Sequence, residues 1–242
     1  MDAEFSTDLQ QAFVAKSEDL RNLAKLLSER IGEISLNADC ADGVTRKFST
    51  IAELLAFDNA KSKEIVRLRM MARSDDFKKR GEIDLSGSKW RGISIRLEAR
   101  EDVVGRLKES VLDVVASMRP MYSWLHRYDF IWILLAFQFI LGLLPALFVA
   151  LGVYDGSGSA SISARTAARA LILGLILPVF TIGLGALANR FRNALFPKAF
   201  FAIGQSEKRL QKLEKIQGTV IVGFLVSFAA SVFVAIWQAW MA

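Results

Sequence analysis

The chain has 242 residues, of which 52% are hydrophobic and 23% charged, and its formal net charge at neutral pH is +6. Its single cysteine, Cys40, excludes an intramolecular disulfide framework and a cysteine-based zinc site. The positive balance favours nucleic acid or an anionic membrane surface as a partner, and basic flanks of membrane helices would produce the same balance.

The N-terminal quarter predicts one helix and one hairpin. The first 16 residues carry early acids and no long apolar core, which is not typical of a signal peptide. Apolar residues from Leu9 to Ile31 recur at helical spacing and predict a helix over about 7–31. Alternating residues on either side of Asp42-Gly43 predict two strands joined at a turn pair typical of hairpins.

The next segment predicts two helices around three strands. Thr50 and Glu53 have the spacing of a capping box and predict a short helix. Alternation in 63–73, 83–85 and 93–99 predicts three strands, and a last helix is predicted from Asp102 until Arg119-Pro120 breaks it. The order α-ββ-α-βββ-α predicts a cytosolic α+β domain over residues 1–127, with an antiparallel sheet packed on helices.

Five arginines occupy the outward positions of the predicted strands. Guanidinium groups bind phosphate through two parallel hydrogen bonds, so these arginines are candidate ligands for a nucleotide, nucleic acid or a lipid headgroup. The alternative is a solvated outer face balanced by Glu64, Glu82, Asp84 and Glu98, as expected on the polar side of an antiparallel sheet. The candidate residues are Arg67, Arg69, Arg73, Arg96 and Arg100.

Residues 128–242 predict an all-α transmembrane region of three helices. Three uncharged segments, at about 130–153, 170–189 and 217–241, reach the roughly 20 apolar residues that a membrane-spanning helix needs. The connection at 190–216 is basic, and the positive-inside rule places it in the cytoplasm. We therefore expect a multi-pass protein of the cell inner (plasma) membrane, with a cytoplasmic N-terminus and an outside C-terminus. The predicted membrane-surface residues are Arg190, Arg192, Lys198, Lys208 and Arg209.

The third predicted span carries small residues at every fourth position, which allow helix backbones to approach closely. Packing within one chain and oligomerisation would both use this stripe, and we expect a homo-oligomer. The helix-packing residues are Gly223, Ser227, Ser231 and Ala235.

The chain shows no motif for catalysis or for a bound cofactor. It contains no phosphate-binding loop, no dinucleotide fingerprint and no HExxH zinc motif. The only histidine, His126, cannot build a multi-histidine metal site, and the loop serines Ser157 and Ser159 are predicted to lie on the opposite side of the membrane from it. We therefore expect no enzymatic activity, no metal and no cofactor.

The layout of a small α+β domain in front of a few helices resembles that of membrane-acting effectors of bacterial defence systems. One hypothesis is a non-enzymatic sensor-effector, whose cytosolic domain binds an anionic ligand or a partner protein and whose oligomeric spans perturb or open the membrane. The alternative is a membrane anchor or scaffold that tethers a cytosolic protein complex. The expected partners are the lipid bilayer, further copies of the chain, and a cytosolic protein or nucleotide-like ligand.

Overall fold

The computed structural model describes residues 1–76, 78–87, 92–150 and 164–241. The chain divides into two compact units, the first formed by Met1–Trp124 with Leu195–Ala242 and the second by Leu125–Ala194. The described elements, in chain order, are β1 (Asp2–Leu9), β2 (Phe13–Lys16), α1 (Ser17–Arg30), β3 (Glu33–Cys40), β4 (Thr45–Phe48), α2 (Ile51–Ala56), a 3-10 turn (Lys61–Lys63), β5 (Ile65–Arg73), β6 (Arg80–Ser86), β7 (Ile93–Arg100), α3 (Glu101–Ser117), a 3-10 segment (Met121–Arg127), α4 (Phe130–Ala150), α5 (Ala164–Leu195), β8 (Ala199–Ala202) and α6 (Gln205–Met241).

The first unit is an α+β fold built on an antiparallel sheet. Six strands pair in the order β1-β7-β6-β5-β3-β4, every pair antiparallel. Alternate residues of the strands are apolar and buried, among them Leu36, Leu68 and Ile83. The helices α1 and α3 pack on each other, α1 against β3 and β5 and α3 against β1 and β7, so they form one layer over the apolar face. The other face of the sheet carries the polar and charged residues of the same strands.

A second, two-stranded sheet joins distant parts of the sequence within this unit. β2 and β8 pair in parallel over four residues each, although about 180 residues separate them. Phe13 and Phe201, one from each strand, are fully buried and meet edge to face, with ring centroids 5.6 Å apart. Residues 199–202, which the sequence assigns to a basic connecting loop, therefore belong to the packed core.

The prediction of one helix over residues 7–31 is wrong in its first ten residues. The helix begins only at Ser17, where the carboxylate of Asp19 accepts a hydrogen bond of 3.0 Å from the Lys16 N–H. Residues 2–9 form β1 instead, because they alternate between half-buried and exposed positions and pair with β7 over their whole length. The partner strand lies some 90 residues away, so local spacing did not reveal it.

Two other local predictions are confirmed, and a third is wrong by two residues. Gly43 adopts a φ of 78° in the β3–β4 hairpin, which is the left-handed region that glycine enters without a steric penalty. The Thr50 hydroxyl accepts a hydrogen bond of 3.2 Å from the Glu53 N–H and so caps α2. The prediction that α3 begins at a cap formed by Asp102 is wrong, because the N-cap position is Arg100, the helix starts at Glu101 and Asp102 lies in its first turn.

Among the described residues, no helix combines the length and the apolar character that crossing a membrane requires. This finding overturns the predicted three-helix transmembrane region and, with it, the predicted multi-pass location in an inner membrane. A span needs about 20 consecutive apolar residues. The last turns of α5 carry Arg190 and Arg192, and the first third of α6 is charged. Residues 151–163, which include Ser157 and Ser159, lie outside the described residues.

The second unit is held by contacts between α4 and α5. Gly185 is buried so closely against Ile131 that an added Cβ would lie 2.8 Å from the Ile131 Cα. The Thr181 hydroxyl donates a 2.7 Å hydrogen bond to the side-chain oxygen of Gln138. Near the start of α4, the Asn189 amide donates to the Asp129 carboxylate at 2.7 Å. These polar bridges between two helices fix their register.

Candidate functional site

The outward face of the six-stranded sheet is a ladder of alternating charges. The strand register places Arg96 directly opposite Glu82 and Arg69 directly opposite Asp84. Opposite charges at such positions have Cβ atoms about 5 Å apart and stabilise the pairing. The five arginines predicted from the sequence do share this face, and acids from neighbouring strands stand between them.

Arg67 is fully engaged with Asp84. Its Nε donates to both carboxylate oxygens, at 2.9 and 3.1 Å, and its Nη2 makes a further contact with the same carboxylate. Asp84 is buried, with only 8% of its surface exposed. Hydrogen bonding to this carboxylate raises the pKa of Arg67 above its ordinary value. The ion pair links β5 to β6, and Asp84 occupies the hydrogen-bond donors with which Arg67 would bind an anion.

Arg69 is held by the same acids. Its Nε lies 3.7 Å from a Glu82 oxygen and 3.9 Å from an Asp84 oxygen. That Nε is buried and makes no hydrogen bond within the described part of the chain. Two carboxylates at these distances leave the guanidinium electrostatically compensated although its hydrogen bonds are incomplete.

The arginines of β7 lie further along the face. Arg96 is exposed between Glu82 and Ser6. Arg100 stands opposite Asp2 at the end of the strand, and its Nε lies 3.3 Å from an Asp102 oxygen in the first turn of α3. Arg100 is thus separated from Arg73 by the width of β6, so the five candidates do not converge on one point.

A cavity of about 440 Å³ opens where β3, β5 and β6 end together. Arg73 and Arg80 stand directly opposite each other in the β5–β6 pairing, and both line this cavity. Two cations in that position repel each other. Glu33 is the register partner of Arg73 on its other side, and Glu82 lies 3.4 Å from Arg80. The remaining wall includes Ser35, Met71, Ser74 and Asp75.

The turn between β5 and β6 closes one end of the cavity. The Ser74 hydroxyl donates to an Asp76 oxygen at 2.5 Å and accepts from the Lys79 N–H at 3.0 Å. The hydroxyl, with the Lys78 N–H, lowers the pKa of Asp76 below its ordinary value. A turn braced in this way holds Ser74 in place beside Arg73, so the cavity wall is preformed.

Arg80 is not among the five arginines predicted from the sequence, because the strand predicted at 83–85 begins after it. It is the first residue of β6. The signal was present: Arg80, Glu82 and Asp84 alternate with the apolar Ile83 and Leu85, which extends the strand pattern back to residue 80.

The other predicted residues lie away from this cavity. Arg192 donates to the Leu125 carbonyl at 3.3 Å, and Arg209 donates to the Asn59 carbonyl at 2.7 Å. Lys208 and Arg190 are exposed and Lys198 is half-buried. On α6, Gly223 has open space around its Cα, and the Ser231 hydroxyl donates to the Ser227 carbonyl within the helix. The side chain of Ala235 lies outside the described residues.

Within the ranges that the structure describes, no three His, Cys, Asp or Glu side chains are grouped closely enough to hold a metal ion. The outward sheet face offers hydrogen bonding and charge pairing by its arginines, acids and serine hydroxyls. No protein-family model, curated protein or solved structure matches this chain.

Proposed function

We propose that the chain is a non-enzymatic binding protein whose α+β unit holds a small anionic ligand in the cavity between Arg73 and Arg80. The observation that supports this proposal most directly is the pairing of two arginines opposite each other on neighbouring strands, at the wall of a 440 Å³ cavity. Ligand pockets in proteins have volumes of about 300–1,000 Å³. The size suits a nucleotide-like molecule rather than a single inorganic ion.

Charge explains why an anion fits between these arginines. A phosphate or carboxylate between the two guanidinium groups would accept two parallel hydrogen bonds from each and would remove their mutual repulsion. Arg67 and Arg69 do not line this cavity, whereas Arg73 and Arg80 do. The proposal therefore narrows the five predicted arginines to Arg73 and adds Arg80.

The acids on the wall define the rest of the ligand. Glu33 and Asp75 would repel a purely anionic molecule, but they accept hydrogen bonds from hydroxyl or amino groups. Ser35 can donate or accept, and Ser74, which gives its proton to Asp76, can still accept. These groups favour a ligand with one anionic end and several hydrogen-bond donors, as in a nucleoside or sugar phosphate. Neither membrane perturbation nor membrane anchoring by spanning helices is part of this proposal, because no described helix is long and apolar enough to cross a membrane.

The test is a calorimetric titration of the full chain with adenosine monophosphate, ribose 5-phosphate and inorganic phosphate. We expect Arg73→Gln and Arg80→Gln each to weaken binding of the organic phosphates by about tenfold or more, since a hydrogen bond to a charged group contributes roughly 1.5–3 kcal/mol.

Arg100→Gln is the matched control. Arg100 lies on the same face but outside the cavity, and its substitution removes the same charge. Equal weakening by all three variants would show that the face acts only through its overall charge. Absence of binding by every phosphate ester would refute the proposal.

A further inference from the structure

β1 is a long strand at an open edge of the six-stranded sheet. It pairs over all eight residues with β7 on one side, and among the described strands none pairs with its other side. Its register with β7 is continuous from Asp2 to Leu9. In an antiparallel arrangement, alternate residues of an edge strand direct their N–H and C=O groups away from the sheet, about four residues in a strand of this length.

The side chains on the outward face of this edge are acidic. Asp2, Glu4 and Asp8 alternate along β1, and all three are exposed. Glu4 stands directly opposite Glu98 of β7, a like-charge pair that weakens the pairing. Glu98 has Arg80 on its far side, whereas the far side of Glu4 is the sheet edge. A cation arriving beside Glu4 would complete the alternation of charges.

The inward face of the same strand is apolar and only half covered. Ala3, Phe5 and Leu9 pack against the core but remain partly exposed, while their neighbours on β7 are fully buried. The Lys108 ammonium of α3 lies 4.8 Å from the centre of the Phe5 ring and covers one side of it. An additional strand beside β1 would bury the rest of this apolar row.

The opposite edge of the sheet has different properties. β4 has only four residues, and two of them, Arg46 and Lys47, are cations. Short, charged edges are a usual protection against strand addition. The acids of β1 give protection of a more selective kind, because antiparallel pairing of two β1 strands would place acids near acids. That repulsion disfavours a second copy of the chain at this edge.

We propose that the β1 edge binds an extended segment of a partner protein in which cationic residues alternate with apolar ones. The segment adds as a seventh strand, its backbone pairing with β1, its cations facing Asp2, Glu4 and Asp8, and its apolar residues covering Phe5 and Leu9. Strand addition of this kind takes affinity from main-chain hydrogen bonds and specificity from alternate side chains. This site is separate from the Arg73–Arg80 cavity and does not depend on it.

The experiment uses the full chain and three labelled eight-residue peptides, followed by fluorescence anisotropy. The first peptide alternates lysine and valine, the second replaces every lysine by glutamate, and the third is the lysine peptide with N-methyl groups on alternate backbone nitrogens. We expect only the first to bind. The N-methylated peptide keeps the charges and loses backbone donors, so it separates strand addition from nonspecific attraction.

The protein variants test where the peptide binds. Glu4→Lys with Asp8→Lys is expected to weaken binding of the lysine peptide about tenfold, as for the loss of two exposed ion pairs. Glu18→Lys with Glu29→Lys on α1 makes the same change in net charge away from the edge, and we expect it to have little effect. Hydrogen exchange of the β1 amides should slow when the lysine peptide is bound.

Three results would overturn the inference. One is equal binding of the N-methylated peptide, another is equal weakening by the α1 variant, and the third is self-association of the chain that Glu4→Lys with Asp8→Lys abolishes. The last result would identify a second copy of the chain as the occupant of the edge.

Discussion

Asp42 and Arg46 form an exposed ion pair across the β3–β4 hairpin. The guanidinium donates to both carboxylate oxygens, at 3.0 and 2.6 Å, and the Val44 N–H donates to the same carboxylate at 3.1 Å. These hydrogen bonds, that of Arg46 first, lower the pKa of Asp42 from its ordinary 3.8 to about 2. A carboxyl group whose pKa is lower in the folded than in the unfolded chain stabilises the fold at any pH above its unfolded pKa. This contribution of Asp42 is lost as the pH falls from about 4 to 2.

We predict that Arg46→Gln moves the Asp42 titration midpoint up towards 3.8, because the strongest hydrogen-bond donor to the carboxylate is then neutral. Carboxyl carbon chemical shifts, followed by NMR between pH 1.5 and 6, measure the midpoint directly. Arg30→Gln, on an exposed helix end, serves as the control and should leave it unchanged. A wild-type midpoint near 3.8 would contradict the ion-pair geometry.

Asn59 is a buried hub that connects the segment before β5 to the segment before α6. Its amide donates to the Phe201 carbonyl at 2.9 Å and to the Ser206 hydroxyl at 3.0 Å, and its oxygen accepts from the Ile65 N–H at 2.8 Å. The residue is completely buried. No local pattern predicts such a hub, because its partners are separated by up to 147 residues.

We predict that Asn59→Ala lowers the free energy of unfolding by about 2 kcal/mol, because the Ile65 N–H loses its buried acceptor, whereas the Phe201 carbonyl keeps the Ser206 hydroxyl and the Ile203 N–H as donors. Urea denaturation followed by circular dichroism measures the change. Asn37→Ala removes the same side chain from a half-exposed position on β3, and its loss should stay below about 1 kcal/mol. Similar losses for the two variants would show that the hub is solvated.

Among the elements, those with local signals were predictable from the sequence and those with distant partners were not. Gly43 and Thr50 mark the hairpin and α2 through short-range chemistry, so residues close in sequence were sufficient. β1 and β8 exist because β7 and β2 pair with them, and neither partner is close in sequence. The same limit applied to the site. The alternation within β5 was enough to place Arg67, Arg69 and Arg73 on the outward face. Which acids face two of them is set by the register with β6, and the sequence of β5 does not contain that information.

β8 is short, and its attachment to the core depends mainly on one side chain. Phe201 is 1% exposed, and its ring packs on Phe13 of the parallel partner strand. We predict that Phe201→Ala lowers the free energy of unfolding by about 3–5 kcal/mol. Loss of the buried ring leaves a cavity, and two strands of four residues cannot shift enough to close it. Phe191→Ala is the control, since that ring is exposed on α5. Equal urea midpoints for the two variants would contradict the placement of β8 in the core.

At the scale of the whole molecule, the burial of apolar side chains differs strongly between the sheet and the helices α4 and α5. In the sheet of the first unit, the inward residues of the central strands are almost completely buried. On α4, by contrast, Trp132, Phe137 and Phe139 are each at least 60% exposed. Val179 and Phe180 of α5 are exposed to a similar extent. Large apolar side chains exposed in such number on two helices are uncommon on a monomer, and we expect another molecule to cover some of them.

We predict that the full chain self-associates in buffer without detergent, in keeping with the homo-oligomer expected from its sequence. Static light scattering should show particles well above the 26.9 kDa of one chain, and a mild detergent should disperse them by covering the same side chains. The triple variant Trp132→Ser, Phe137→Ser and Phe139→Ser should shift the distribution towards smaller particles. The double variant Val44→Ser and Val66→Ser, whose exposed side chains belong to the sheet unit, should not. A monodisperse 26.9 kDa species in detergent-free buffer would show that the exposed side chains of these helices need no partner. Smaller particles with the Val44→Ser and Val66→Ser variant alone would show that the chains associate through the sheet unit.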